Sequence, residues 1–350
     1  MRQKDKVTIY DISKRLNISA ATVSRALNDN KRVSVKTKEM VLKAAKEMNY
    51  QQNALALALK SGKTKNVGIV VPYINHNFFA SVIRGIEEEL TPVGYHVIIC
   101  QTHENVKNEA SQIQNLLNTH IDGIFISVTK STQDTSHLQL IQEDGVPLIF
   151  FDRKKDMQGV SSVTINDFQG GFMATEHLIK QGCRDIAHLC VDLNLEIYRK
   201  RYEGYLEALK TYNLPIDKNL LIEINSDLDS GIDAVKKLWQ LPKKVDAIFS
   251  SSDYAALGAI QELKNRGLEI PKDVSVVGFS NEPFTQYMEL PITSIDQTPV
   301  LMGKIAAQVF LEQVEEKQHI SVEKKVVLTP ELYIRNSSKR NASKKMETFS

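Results

Sequence analysis

Residues Ala20 to Asn28 hold the first group of side chains with an evident chemical use. At about 100° per residue, Ala21, Ser24, Arg25 and Asn28 gather on one side of a helix, flanked by Ala20 and Thr22. That side offers small residues for close approach, hydroxyls and an amide for phosphate, and one guanidinium fork that can read guanine. It is the surface a helix needs to enter the major groove of DNA. Candidates for catalysis fail on spacing. No GxGxxG or GxxxxGK[ST] loop is present to cradle phosphates. Ser250-Ser251-Ser252-Asp253 has neither an elbow motif nor a nearby His, and Gly170-Gly171 reads as close packing where a helix begins. The eight histidines show no HxxxH or HExxH, and Cys100, Cys183 and Cys190 show neither metal spacing nor a disulfide framework. No enzyme, metal or cofactor is expected.

The elements that must carry the polar helix follow from its neighbours. Thr8 and Asp11 cap a first helix, in which Ile9, Ile12 and Leu16 recur at helical spacing. Asn17 suits the left-handed residue of a tight turn, and Ile18 plugs that turn from inside. Ser19 caps the second helix, whose Val23 and Leu27 lie opposite the polar side. A third helix fits Val35 to Met48, capped by Ser34, with Val41, Ala45 and Met48 facing the other two. Residues 1–65 carry 15 Lys/Arg against 5 Asp/Glu, a net of +10, and the remainder 29 against 37, a net of −8. A basic head on an acidic body fits a polyanion-binding module attached to a sensor.

From Asn66 onward, short apolar runs alternate with helix-length segments: VGIVV, HVIIC, DGIFIS and PLIFF, then DIAHLCV, LLIEI, VDAIFS and DVSVVGF. This is the parallel α/β pattern, and two such sets imply two doubly wound subdomains with ligand at the carboxyl ends of their strands. The N-terminus lacks an apolar signal core and no later run is long enough to span a membrane, so a cytoplasmic chain with no membrane partner is expected. Residues 337–350, polar, basic and poor in apolar groups, are expected to form a disordered tail.

TIYDISKRLNISAATVSRALN, continued by VSVKTKEMVLKAAKEMNY and NALALAL, resembles the N-terminus of LacI/GalR-family transcription regulators. The resemblance runs on to PELYIRNS near the C-terminus. It implies a helix-turn-helix domain over 1–50, a hinge helix and linker over 51–65, and a two-lobed body similar to periplasmic binding proteins. The lobes would comprise 66–163 plus 294–322, and 164–293 plus 323–336. It points Thr8, Tyr10, Ser19, Ser24, Asn28, Ser34, Thr37 and Tyr50 to phosphates and turns Ala20, Ala21 and Arg25 to bases, with Thr22 beside them. In the hinge it implies that Leu59 enters the minor groove, with Asn53 and Ala56 in place. Gln52 stands where the family has Pro, and Leu57 where it often has Arg.

For the effector, the resemblance implies Asn75, Phe78 and Phe79 after the first strand, Asp152 after the fourth, and Asn166 where the lobes join. Arg201 would grip hydroxyls or a carboxylate, and Asp253 would line the second lobe. Ser226 replaces an aromatic residue, and Ser280, beside Asn281, replaces a common Asp ligand. As a set these residues favour a sugar or sugar phosphate. The implied protein is a repressor that binds a palindromic double-stranded operator as a homodimer under effector control. A free-standing solute binder would need a signal peptide and have no use for residues 1–61.

Overall fold

The computed structural model describes residues 7–28, 30–50, 62–315 and 323–340. The expected hinge helix, with Asn53, Ala56 and Leu59, lies outside them, as do residues 341–350. The chain divides into two compact units, Met1–Thr64 and Lys65–Ser350.

The first unit is built of α1 (Ile9–Leu16), α2 (Ala20–Leu27) and α3 (Val35–Glu47). Asp11 Oδ2 accepts from the Thr8 backbone N–H at 2.8 Å and from its hydroxyl at 2.7 Å, which closes the start of α1. Asn17 ends that helix in the left-handed region at φ 50°, as the tight turn requires. Ile12, Val23, Ala26, Val41, Ala44 and Ala45 form a buried centre, ringed by Ile9, Leu16, Ile18, Leu27, Val33, Met48 and Tyr50. The apolar periodicity thus packs as the sequence implies.

The second unit begins with β1 (Asn66–Val71), α4 (Asn77–Leu90), β2 (His96–Gln101), α5 (Val106–Asn118), β3 (Gly123–Ile126), α6 (Ser136–Glu143), β4 (Leu148–Phe151) and β5 (Ser161–Ile165). The second lobe holds α7 (Asp167–Lys180), β6 (Ile186–Cys190), α8 (Glu196–Thr211), β7 (Leu221–Glu223), α9 (Leu228–Leu238), β8 (Ala247–Ser250), α10 (Asp253–Asn265), β9 (Ser275–Phe279), α11 (Phe284–Tyr287) and β10 (Thr293–Asp296). Then follow α12 (Pro299–Glu315), β11 (Lys325–Leu328) and β12 (Glu331–Tyr333). One sheet has the order β11-β5-β4-β3-β1-β2 and is wholly parallel; the other, β12-β10-β9-β8-β6-β7, is parallel except where β12 runs against β10. Helices cover both faces, so the inner strands β3, β4, β8 and β9 are buried at every residue. Among the described residues no helix is long and apolar enough to cross a membrane.

The lobe boundaries differ from the expected ones at two strands. The family resemblance implies that Lys325–Leu328 belongs to the second lobe, but it pairs with Ser162–Ile165 in the first sheet. Thr293–Asp296, expected to open the returning segment, still belongs to the second sheet beside β9. A short apolar run shows that a strand exists, but not which ladder its backbone completes. The C-terminal segment also stays packed further than its polarity suggested. Ser337 Oγ donates to Val276 O at 2.6 Å and accepts from Thr293 N at 2.8 Å, and Arg340 Nη2 donates to Asp246 O at 2.8 Å. Ser337 and Arg340 are polar because their partners are backbone groups, and Ser338 because it bonds the His177 ring and the Thr293 hydroxyl.

Three helix pairs meet backbone to backbone at reciprocal glycines. A Cβ on Gly85 of α4 would stand 2.2 Å from Val300 O of α12, and one on Gly303 of α12 2.1 Å from Val82 O. Gly171 and Gly204 join α7 to α8 in the same way, at 2.0 Å from Arg201 O and 2.0 Å from Phe168 O; Gly231 and Gly258 join α9 to α10. Gly171 therefore packs closely, as the glycine pair suggested. On an exposed helix Gly→Ala gains about 1 kcal/mol. Here Gly303→Ala should instead lower the unfolding free energy by about 1–3 kcal/mol, because the helices must separate. Urea unfolding of the two proteins decides the sign.

Candidate nucleic-acid interface and ligand cleft

On α2, Val23 and Ala26 are buried while Ala21, Arg25 and Asn28 are exposed, so the polar side faces outward. The Arg25 side chain makes no hydrogen bond or ion pair among the described residues. Ser19 Oγ accepts from Thr22 N at 3.1 Å and Ser34 Oγ from Thr37 N at 3.2 Å; each serine also meets its threonine's hydroxyl, at 2.8 and 2.9 Å. These four residues cap α2 and α3 and at the same time crowd hydroxyls around helix N-termini, which attract phosphate. Asn28 Nδ2 donates to Ser24 O at 2.7 Å. Thr8 and Tyr10 are exposed, Ala20 and Ser24 partly so, and Tyr50 lies half-buried against the three-helix centre. The sequence reading passed over Lys31, Arg32 and Lys36, exposed cations on either side of Ser34.

In the second unit a cavity of about 220 Å³ lies where the strands of both sheets point their carboxyl ends. Asp152 directly follows β4, Ser280 follows β9 and Gln297 follows β10, so strand termini position the polar lining. Phe78, Phe79, Asp152, Arg201, Ser226, Asp253 and Ser280 all line it. Three predicted residues do not. Asn75 is exposed, and its neighbour His76 takes the place in the wall. Asn166 caps α7, its side chain accepting from Gln169 N at 3.0 Å, and lines an adjoining cavity. Asn281 turns away to Asp296 at 2.6 Å and to Arg335 at 2.7 Å.

Arg201 is 3% exposed and fully engaged on one side. Its Nε donates to Asp167 Oδ1 at 2.8 Å, Nη1 to Ser251 O at 3.2 Å and Nη2 to Gln297 Oε1 at 3.2 Å, while the guanidinium lies 3.6 Å from the Phe279 ring centre. Each terminal nitrogen keeps one proton for a ligand. Burial pushes Asp167 up to about 6 against the pull of Arg201. Burial likewise raises Asp253 to about 6, opposed by the N–H of Glu282 and the hydroxyl of Ser294, both of which bond its carboxylate. Asp152 is raised too, by burial, with Arg153 and Ser127 holding it back. Asp152, Ser226 and Ser280 adopt φ of 59°, 63° and 111°, a concentration of left-handed backbone typical of functional sites.

The sequence reading missed Tyr73, His76, Glu104, Arg153, Tyr254, Glu282 and Gln297 in the lining. The signal was present: Tyr73, Arg153 and Gln297 each follow a strand's carboxyl end by one or two residues. His76 stacks on Tyr73 at 5.4 Å and approaches Tyr254 of the other lobe at 6.4 Å, so the rings join the two sides.

Residues 8–53 match the family model described as bacterial regulatory proteins, lacI family, and residues 64–336 match that of periplasmic binding proteins and the sugar-binding domain of the LacI family. The chain belongs to the LacI family. The HTH-type transcriptional repressor PurR of Actinobacillus pleuropneumoniae serotype 3 (strain JL03) is 31% identical over 341 residues, 96% of this chain and 99% of that one. The solved complex of the transcriptional regulator CelR with cellobiose is 28% identical at TM-score 0.72, covering 95% and 100% of the two chains. A LacI-family regulator from Enterococcus faecium with bound ribose is 25% identical at TM-score 0.68, covering 78% and 98%. The lac repressor dimer on operator, at 24% identity and TM-score 0.83, shares the fold.

This LacI-family chain is therefore a DNA-binding transcriptional repressor with an effector domain, and not an enzyme. Among the described residues no cluster of His, Cys, Asp and Glu could hold a metal ion. With alanines at positions 20 and 21, the sequence reading assigns base contacts chiefly to Arg25. Arg25→Ala should cost roughly 1–3 kcal/mol per half-site on a site selected from random DNA and should relax base preference there. Gel-shift titration on selected and random duplexes measures both; equal loss on the two would reduce Arg25 to a phosphate contact.

Proposed function

We propose that this repressor works as a homodimer on a palindromic operator and that a sugar in the interlobe cavity controls its affinity for DNA. The observation that carries the reading is the composition of the cavity wall. Aromatic faces (Tyr73, Phe79, Tyr254), a pinned guanidinium and several carboxylates converge on one small space. Flat apolar rings suit the C–H faces of a sugar, and charged groups suit its hydroxyls, since hydrogen bonds to charged groups are stronger than neutral ones. The volume of about 220 Å³ lies below the ~300–1,000 Å³ of drug-sized sites, which favours a monosaccharide. The sugars bound to CelR and to the E. faecium regulator support the same class.

A homodimer is supported by the exposed edge of the first sheet. β2 leaves Ile98 and Ile99 exposed, with Val93 beside it, and an apolar edge strand left bare would invite pairing with other chains. Control follows from the lobes. A sugar touching Asp152 and Phe79 on one side and Arg201 and Asp253 on the other favours one closure angle, and that angle sets the spacing of the two DNA-binding units. Coupling of this kind is reciprocal, so operator changes sugar affinity by the factor by which sugar changes operator affinity, with typical coupling of about 1–3 kcal/mol.

The test is a calorimetric panel of neutral monosaccharides and disaccharides and their phosphates, with and without a selected operator. Arg201→Lys keeps a charge for Asp167 but loses the fork, and should weaken the cognate sugar at least about tenfold while sparing effector-free DNA binding. A sugar that binds both proteins equally would remove the assigned cleft. One whose affinity ignores operator would remove the coupling.

A further inference from the structure

The acids of the cleft are compensated, with one exception. Asp167 faces Arg201 at 2.8 Å, Glu104 faces Arg153 at 2.7 Å, Asp152 accepts from Ser127 at 2.9 Å, and Asp253 accepts from Ser294 at 2.7 Å and from a backbone N–H at 2.8 Å. Glu282, on the loop between β9 and α11, is only 5% exposed and lines the same cavity, across from Phe78 and Phe79 at the start of α4. Among the described residues its carboxylate faces no cation. Burial, then the charge of Asp253, push it up to about 7, and only the backbone at Phe78 draws it back. A buried carboxylate that faces no cation and has only the backbone at Phe78 as a donor is costly, so the chain bears that cost in the ligand-free cleft. The group that would relieve it must come from the ligand.

We propose that Glu282 determines effector specificity: its carboxylate accepts hydrogen bonds from hydroxyl or amino groups of the effector and turns away effectors that carry a phosphate or carboxylate. The inference rests on the cleft being the effector site and goes beyond it by choosing the free sugar over its phosphate. Ser280, two residues earlier, leaves that role open, because its hydroxyl accepts from Gln297 Nε2 at 3.0 Å and carries no charge. Once the negative charge at 282 is gone, an anion has partners at hand. His76 supplies no side-chain cap at the start of α4, and Arg153 Nε is buried without a hydrogen-bond partner in the same wall.

The experiment titrates inorganic sulfate, a doubly charged stand-in for a phosphate group, into the full chain by calorimetry at constant ionic strength and pH 8. Wild type is compared with Glu282→Gln, Glu282→Ala and Glu282→Asp. The neutral variants Gln and Ala should bind sulfate at least tenfold more tightly than wild type, whereas Asp, which keeps the charge, should behave as wild type does. Sulfate taken up by the basic N-terminal unit is common to all four proteins and cancels. Equal sulfate affinity in wild type and both neutral variants overturns the inference, as does a gain in Asp equal to that in Gln. The sugar panel separates the two readings. A sugar bound by wild type with sulfate unmoved in Gln sinks this inference alone, and a sulfate gain with no sugar bound sustains it while the sugar reading falls.

Discussion

A guanidinium sealed inside the second lobe must be neutralised before any cleft can form around it. An unpaired buried charge costs several kcal/mol, more than any one contact in its surroundings returns. Arg201 meets this demand with partners from four separate stretches: Asp167 at the start of α7, Ser251 after β8, Phe279 at the end of β9 and Gln297 in a crossing between the lobes. The backbone has to cooperate. α7 and α8 approach so closely that Gly171 lies against the carbonyl of Arg201 itself, and a side chain there would push the guanidinium away from Asp167. The glycine pair is a packing feature whose consequence is electrostatic.

The rest of the cleft shows the same trade. Burial raises Asp152, Asp167, Asp253 and Glu282 above the ordinary carboxylate range, and three lining residues hold left-handed backbone that costs about 1–3 kcal/mol each in non-glycine residues. The apolar centres behind the cleft offset these terms: Phe125, Phe151 and Phe310 in one lobe, Phe249 and Phe279 in the other, are all buried. At about 1.5–3 kcal/mol for each fully buried large side chain, a few such residues cover the strain. The lobes can therefore carry uncomfortable polar groups around the cavity between them. The N-terminal unit has no such reserve. Its centre is Ile12, Val23, Val41 and three alanines, and its polar residues are accordingly caps and solvated contacts.

Much of this was legible in the residues. The helix caps at Thr8, Ser19 and Ser34, the turn at Asn17 and the outward side of α2 depend on groups within three or four positions of one another, where local geometry admits few solutions. The alternation of apolar runs with helical segments named two doubly wound sheets for a similar reason: strands buried on both faces tolerate little but Val, Ile, Leu and Phe. Seven of the ten ligand residues implied by family resemblance line the cavity. Asn75 and Asn281 stand one position from the wall, which reads the same in sequence as a place inside it, and Asn166 caps α7 beside an adjoining cavity.

Short-range periodicity and charge are enough to read the kind of the main elements, the polar outward side of α2 and the presence of two lobes. The folded chain was needed to show that Lys325–Leu328 completes the first sheet, that Ser337 and Arg340 tie down the end of the second, and that Asn281 serves Arg335. It alone showed that Glu282 is buried in the cavity wall and faces no cation among the described residues. The physical reason is common to all four. Each depends on a partner distant in the chain, through a ladder, a hydrogen bond or the exclusion of water, and a residue's own chemistry does not say which distant group will arrive.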